Sequence, residues 1–100
     1  SFVASVSADG RALVARPLLP VSVQTGRVLE LWSVPPEAGG APRSLGLIAA
    51  DGSTVIARQR LPASLLTGGT AALAVSVEPP GGSPTGVPTG PVVYAGKLQL

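Results

Sequence analysis

Five carboxylates (Asp9, Glu30, Glu37, Asp51 and Glu78), a single lysine (Lys97) and scattered serine and threonine hydroxyls are the main groups in this sequence with acid–base or nucleophilic chemistry to offer. Cysteine and histidine are both absent. Their absence removes the thiolate nucleophile, the commonest general base and the softer metal ligands together. A serine can be activated by lysine instead, but no Ser-x-x-Lys spacing occurs and Lys97 falls in the expected last strand. No two acids lie close together in sequence, so only the fold could pair them, and no acid cluster has the look of a calcium loop. The expectation is a non-enzyme with no cofactor, no metal and no catalytic residue.

Charge is equally thin. Charged residues make up 12% of the chain, where about 25% is usual. The net +2 comes from single arginines (Arg11, Arg16, Arg27, Arg43, Arg58, Arg60) spread along the chain. A nucleic-acid reader needs a basic stripe with interleaved aromatics. Here the aromatics are Phe2, Trp32 and Tyr94, far apart, and no nucleic-acid partner is expected. Mean hydropathy is high at +0.45, yet the longest apolar runs, such as residues 45–50, are broken by glycine. They fall far short of the roughly 18–20 residues of a spanning helix. The sequence opens at Ser1 with no signal-peptide pattern. It reads as one domain, residues 1–100, cut from a longer protein whose anchor and targeting segments lie elsewhere.

The elements that must position any site read as strands. Thirteen glycines and eleven prolines punctuate the chain at short intervals. Residues 2–7 (FVASVS) alternate as a strand does, and Asp9-Gly10 predicts a type I′ hairpin turn, which needs positive φ at both central residues. Residues 12–16 return as the partner, stopped by Pro17 and Pro20. Residues 27–34 (RVLELWSV) form the next strand, closed by Pro35-Pro36. A loop at 37–42 leads to a strand at 43–50. Asp51-Gly52 marks a tight turn into a strand at 53–58. Residues 61–69 read as a loop with room for one helical turn. Residues 71–78 (AALAVSVE) show the cleanest alternation. Ala71, Leu73, Val75 and Val77 lie on a core face, with Ala72, Ala74, Ser76 and Glu78 on the other. A long loop at 79–91 precedes a last strand at 92–100. About seven short strands with regular turn signals predict an all-β, antiparallel, immunoglobulin-like sandwich.

Within this frame a few residues stand out. The 79–91 loop (PPGGSPTGVPTGP) is unusually long for a compact domain. It serves either as a rigid connector or as a recognition or protease-sensitive segment. Type II turns place proline second and glycine third, and its two Pro-Thr-Gly triplets suggest two consecutive turns of this kind even with threonine between proline and glycine. They lack the Lys-Ser/Thr ending and following helix of a phosphate loop. Trp32 reads as a core pin whose N–H finds a backbone partner, and Tyr94 reads the same way.

Three stretches together resemble the C-terminal domain of the anti-sigma-K factor family. Residues 29–35 (LELWSVP) are similar to its aromatic-x-Leu-Trp-x-x-Pro strand, with Leu29 where an aromatic is more usual. Residues 42–47 (PRSLGL) are similar to its Pro-x-Ser-Leu-Gly segment, which singles out Leu45 and Gly46. Residues 73–92 (LAVSVEPPGGSPTGVPTGPV) are similar to its closing motif, which singles out Glu78, Pro79, Gly81, Gly82, Pro88, Thr89 and Gly90. Gly86-Val87 stands as an insertion. With Trp32, these residues make up the expected structural or regulatory motif.

The resemblance implies a single-pass membrane parent. Its cytoplasmic N-terminal domain, absent here, holds an extracytoplasmic-function sigma factor, and the present domain lies on the extracytoplasmic side. Release of the sigma factor would proceed by regulated proteolysis, making a site-1-type protease or an extracytoplasmic ligand the direct partner. The competing reading is a non-catalytic module binding a cell-wall or extracellular ligand, although few aromatics are present for sugar stacking. A further alternative, self-cleavage of the kind seen in other anti-sigma ectodomains, would use the Gly69-Thr70 bond. Within the closing motif, Glu78 is expected to accept backbone N–H bonds from the loop that follows it, or else to stand exposed at the strand end.

Overall fold

The computed structural model describes residues 2–36, 39–66 and 72–96. The expectations placed on Glu37, Gly69-Thr70, Ala71 and residues 97–100 lie outside them. Seven strands form two antiparallel sheets: β1 (Phe2–Val6), β2 (Ala12–Pro17), β3 (Val28–Val34), β4 (Arg43–Ile48), β5 (Thr54–Ala57), β6 (Ala72–Glu78) and β7 (Val92–Gly96). One sheet has the order β1-β2-β5 and the other β4-β3-β6-β7. The chain changes sheet between β2 and β3, between β4 and β5, and between β5 and β6. The result is the expected immunoglobulin-like sandwich. A 3₁₀ turn (Arg58–Arg60) and one turn of helix, α1 (Ala63–Leu66), fill the β5–β6 connection.

Period-2 alternation decides what goes inside. The three-stranded sheet turns Phe2, Leu13, Ala15 and Ile56 inward. The four-stranded sheet opposes them with Leu29, Leu31, Leu45, Ile48, Leu73 and Val75, and Leu65 of α1 joins this core. Phe2 of β1 meets Tyr94 of β7 with ring centroids 5.6 Å apart and planes tilted by 53°. That geometry lies in the favourable range for aromatic pairs, and it joins the first and last strands across the gap between the sheets.

Several local readings need correction. The hairpin at Asp9-Gly10 forms, but Gly10 alone has positive φ (71°), so the turn is not type I′. A Ser7–Gly10 backbone bond makes the turn one residue earlier, and the Asp9 carboxylate accepts the Ser7 hydroxyl and the Arg11 N–H. Side-chain capture of nearby donors, a common aspartate turn device, shapes this turn without positive φ at Asp9. These bonds hold the exposed Asp9 carboxyl below the usual range. Pro17 does not lie beyond the end of β2 but is its last residue, paired with Phe2. The Asp51-Gly52 connection crosses between the sheets, and Gly52 lacks positive φ. There the Thr54 hydroxyl accepts the Ala49 N–H, and Ala50 accepts the Val21 N–H, so β4 stops at Ile48.

β4 carries a bulge that the alternation does not announce. Leu31 pairs with Gly46 and Trp32 with Ser44, leaving Leu45 as an extra residue. Gly46 accommodates it at φ 116°, a conformation open mainly to glycine. Leu45 and Leu47, two apart, therefore face opposite ways: Leu45 is 2% exposed and Leu47 43%. Leu45→Ala should lower unfolding free energy by about 2–5 kcal/mol, and Leu47→Ala by less than about 1 kcal/mol. Urea titration of the two variants checks this, since an unbulged β4 would put both residues on one face.

Candidate functional site

The face of the four-stranded sheet turned away from the core should be solvated and polar, yet much of it is buried. Register places Glu30, Trp32, Ala74, Ser76 and Glu78 on that face: Glu30 opposes Ser76 and Trp32 opposes Ala74. Trp32, Ser76 and Glu78 are fully buried and Glu30 nearly so. Trp32 thus lies outside the inter-sheet core, and its N–H finds a side chain rather than backbone. The indole donates to Ser76 Oγ at 2.8 Å, and the Ser76 hydroxyl donates in turn to the Glu78 carboxylate.

The 79–91 loop folds back onto this face. Its first turn follows from sequence: the Gly82 N–H donates to the Pro79 carbonyl, and Gly81 has φ 88°. With Pro80 and Gly81 as central residues, this is a type II turn. Gly82, at φ 99°, then passes so close that a Cβ would sit 3.1 Å from Glu30 Oε1 and 3.2 Å from the Leu47 side chain. The next N–H, of Ser83, donates to Glu30 Oε1 at 2.7 Å, and the Ser44 hydroxyl donates to the other carboxylate oxygen. The β4 bulge makes the second contact possible, because the extra residue Leu45 leaves Ser44 on the outer face. The Gly46 N–H steadies Ser44 Oγ at 3.2 Å.

At its far end the loop is held by Glu78. The Thr89 N–H donates to Oε2 at 3.1 Å, the Thr89 hydroxyl to Oε1, and the Gly90 N–H to Oε2 at 3.4 Å. Val77 N–H then donates to the Pro91 carbonyl at 3.0 Å, extending the β6 edge into the loop. Gly90 lies against the Val77 carbonyl with no space for a Cβ. It does not have positive φ, so the second Pro-Thr-Gly triplet is not a type II turn. Its glycine is there for close backbone approach. Between the anchors, the loop braces itself: the Ser83 hydroxyl donates to the Val87 carbonyl and accepts the Thr85 N–H at 3.2 Å.

The two carboxylates thus act as acceptors that clamp one loop at both ends. Glu30 and Glu78 stand at diagonal positions of the β3–β6 pair. Burial pushes the Glu78 carboxyl up, but the bonds from Ser76, from the Thr89 hydroxyl and backbone and from Gly90 outweigh it and hold it below the ordinary glutamate value. Among the described residues no buried side-chain polar atom lacks a partner. No group of three metal-ligating side chains converges there either.

Of the residues singled out from sequence, Trp32, Glu78, Gly82, Thr89 and Gly90 belong to this clamp, and Pro79 and Gly81 build its first turn. Pro88 is half-buried beside Thr89. Gly46 supports Ser44, while Leu45 points the other way into the core. Glu30, Ser44, Ser76 and Ser83 were missed. The available signal was Glu30 itself, a carboxylate between Leu29 and Leu31 in the most buried strand, in phase with Trp32.

This arrangement accounts for each motif in one unit, and the sequence comparison agrees. The family model described as Anti-sigma-K factor rskA, C-terminal, matches residues 1–92. The chain belongs to that family. Comparison with curated proteins and with solved structures gave no significant match. The closing motif of this anti-sigma-K C-terminal domain is therefore a clamped loop, with a physical task for its Glu, Gly and Thr positions.

Glu78→Gln should lower stability by about 1.5–3 kcal/mol, the range for hydrogen bonds to a charged group, and hasten protease cutting within 79–91. Denaturant titration and mapped limited proteolysis read the two effects. Because the folded-state carboxyl of Glu78 is depressed, its contribution is fully present above the unfolded value near 4.5. It is lost as pH falls through the folded value. Stability of the parent chain should therefore fall more steeply with acid below that range than stability of the Glu78→Gln chain. Gly90→Ala should free the loop while leaving the inter-sheet core packed, seen as amide exchange confined to 79–91.

Proposed function

We propose that this domain is the extracytoplasmic regulatory part of a membrane-bound anti-sigma factor, non-catalytic, which governs release of an extracytoplasmic-function sigma factor by restraining proteolysis. The observation that carries the reading is the clamp. Exposed loops with small and polar residues are preferred sites of proteolytic cutting when free, and here such a loop is bonded at both ends to buried carboxylates. Proteases need an extended, detachable segment, and the clamped loop has little local freedom. In this reading the direct partner is a site-1-type protease, and the sigma factor is reached only through a cytoplasmic domain of the parent. No helix among the described residues is long and apolar enough to cross a membrane.

A second reading has one observation in its favour. A cleft of about 290 Å³ lies where the loop returns to the sheet, lined by Gln24, Arg27, Val77, Pro79, Thr89, Gly90 and Pro91. A small extracellular ligand bound there would touch the same backbone that Glu78 holds.

The test uses the full-length parent, expressed with its sigma factor and a sigma-dependent reporter. Deleting this domain should give constitutive cleavage and a raised reporter, and Gly90→Ala in the intact parent should move both in the same direction. An unchanged reporter with normally triggered cleavage would sink the proteolytic reading and leave the ligand module.

A further inference from the structure

Four strands end the two sheets, and three of them carry a device that discourages further pairing. β4 is bulged at Leu45 and bears Arg43. β5 is only four residues long and runs into a 3₁₀ turn. β7 follows Pro91 and has a register shift that leaves Val93 as an extra residue. β1 has none of these. Its five residues, Phe2–Val6, pair with β2 in unbroken register, without charge, proline or bulge. Among the described residues no strand takes its other edge.

The register shows which groups that edge offers. The Ser7 N–H donates to the Ala12 carbonyl. In an antiparallel ladder bonded pairs alternate, so Ser5 and Val3 also bond toward β2. Phe2, Ala4 and Val6 then turn their N–H and C=O outward. The spacing is symmetric about Ala4.

We propose that this edge pairs antiparallel with the same edge of a second copy, about a two-fold axis at Ala4. Ala4 then exchanges both bonds with Ala4 of the second copy, and Phe2 with its Val6. Val3 faces its Ser5, so no charge meets a like charge and no side chain longer than phenylalanine must be accommodated. The two three-stranded sheets become one continuous sheet. Their outer faces join into a strip of Val3, Ser5, Val14 and Val55 bordered by the exposed Arg16 beside Val3, and Val55 is 67% exposed. Such an isologous pairing closes on itself, because each outer end of the joined sheet is the short β5. A heterologous extended peptide would use the same backbone groups, but the strand's own self-complementarity favours the second copy.

Sedimentation equilibrium of the 100-residue chain should show mass rising from monomer to dimer with concentration, over a range reaching about 1 mM, as suits a small interface. The Ala4 and Val6 amides should gain exchange protection over the same range while Ser5 stays unchanged. Ala4→Pro removes the outward N–H while its ring also loads the core face on which Ala4 packs, so it should give a monomer of somewhat lowered Tm. Ser5→Lys, which changes no backbone group, should weaken the dimer at least tenfold. Monomer mass throughout, or a dimer that survives Ser5→Lys with the Ala4 amide unprotected, would overturn the proposal. In the first case the edge is left to a different extended chain.

Discussion

A carboxylate taken out of water must find hydrogen-bond donors, or its burial costs several kcal/mol. This domain buries two on a sheet face that offers few. The sheet itself gives each acid one hydroxyl, Ser44 of β4 to Glu30 and Ser76 of β6 to Glu78, and the remaining donors must come from outside it. The 79–91 loop supplies them at Ser83, Thr89 and Gly90. The requirement runs in both directions. The acids hold the loop against the sheet, and the loop satisfies the acids, so neither half is stable in its place alone.

Most irregular features of the domain follow from that mutual dependence. The β4 bulge brings Ser44 to the second oxygen of Glu30, and Leu45 fills the core in the same step. The glycines at 82 and 90 are set by distance rather than by flexibility: a side chain at either would hold the loop off the face it must touch. Ser76 links the clamp to Trp32, so the sheet's outer layer is one hydrogen-bonded unit from indole to loop. The inter-sheet core among the described residues, by contrast, is mostly alternating aliphatic side chains with the Phe2–Tyr94 contact.

The sandwich was legible because alternation and turn residues act locally. Over the described residues every strand falls within a few residues of its expected span. The Glu78–loop contact was legible too, because the acid and the glycines adjoin in sequence. What could not be read was pairing between strands. Glu30 lies 53 residues from Ser83, and only the β3–β6 register places it beside Glu78. The bulge was hidden because Leu45 and Leu47 mimic simple alternation, and Trp32 was placed in the wrong layer because it is fully buried on a sheet face that alternation leaves to solvent. The turn at Asp9 was misread for a smaller reason: the aspartate side chain supplied a hydrogen bond where positive φ was expected.

The sequence holds one tryptophan, and it is the residue whose indole touches the clamp. Indole emission shifts with hydration and with hydrogen bonding to its N–H. The chain of contacts from Trp32 through Ser76 to Glu78 therefore makes the domain its own optical gauge. The state of a loop a residue or two beyond the indole's partner is written into the colour of a single chromophore, with Tyr94 on the opposite side of the sheet and out of the reading. An unlabelled protein can thus report, in real time and in the presence of a protease or ligand, whether its loop is seated.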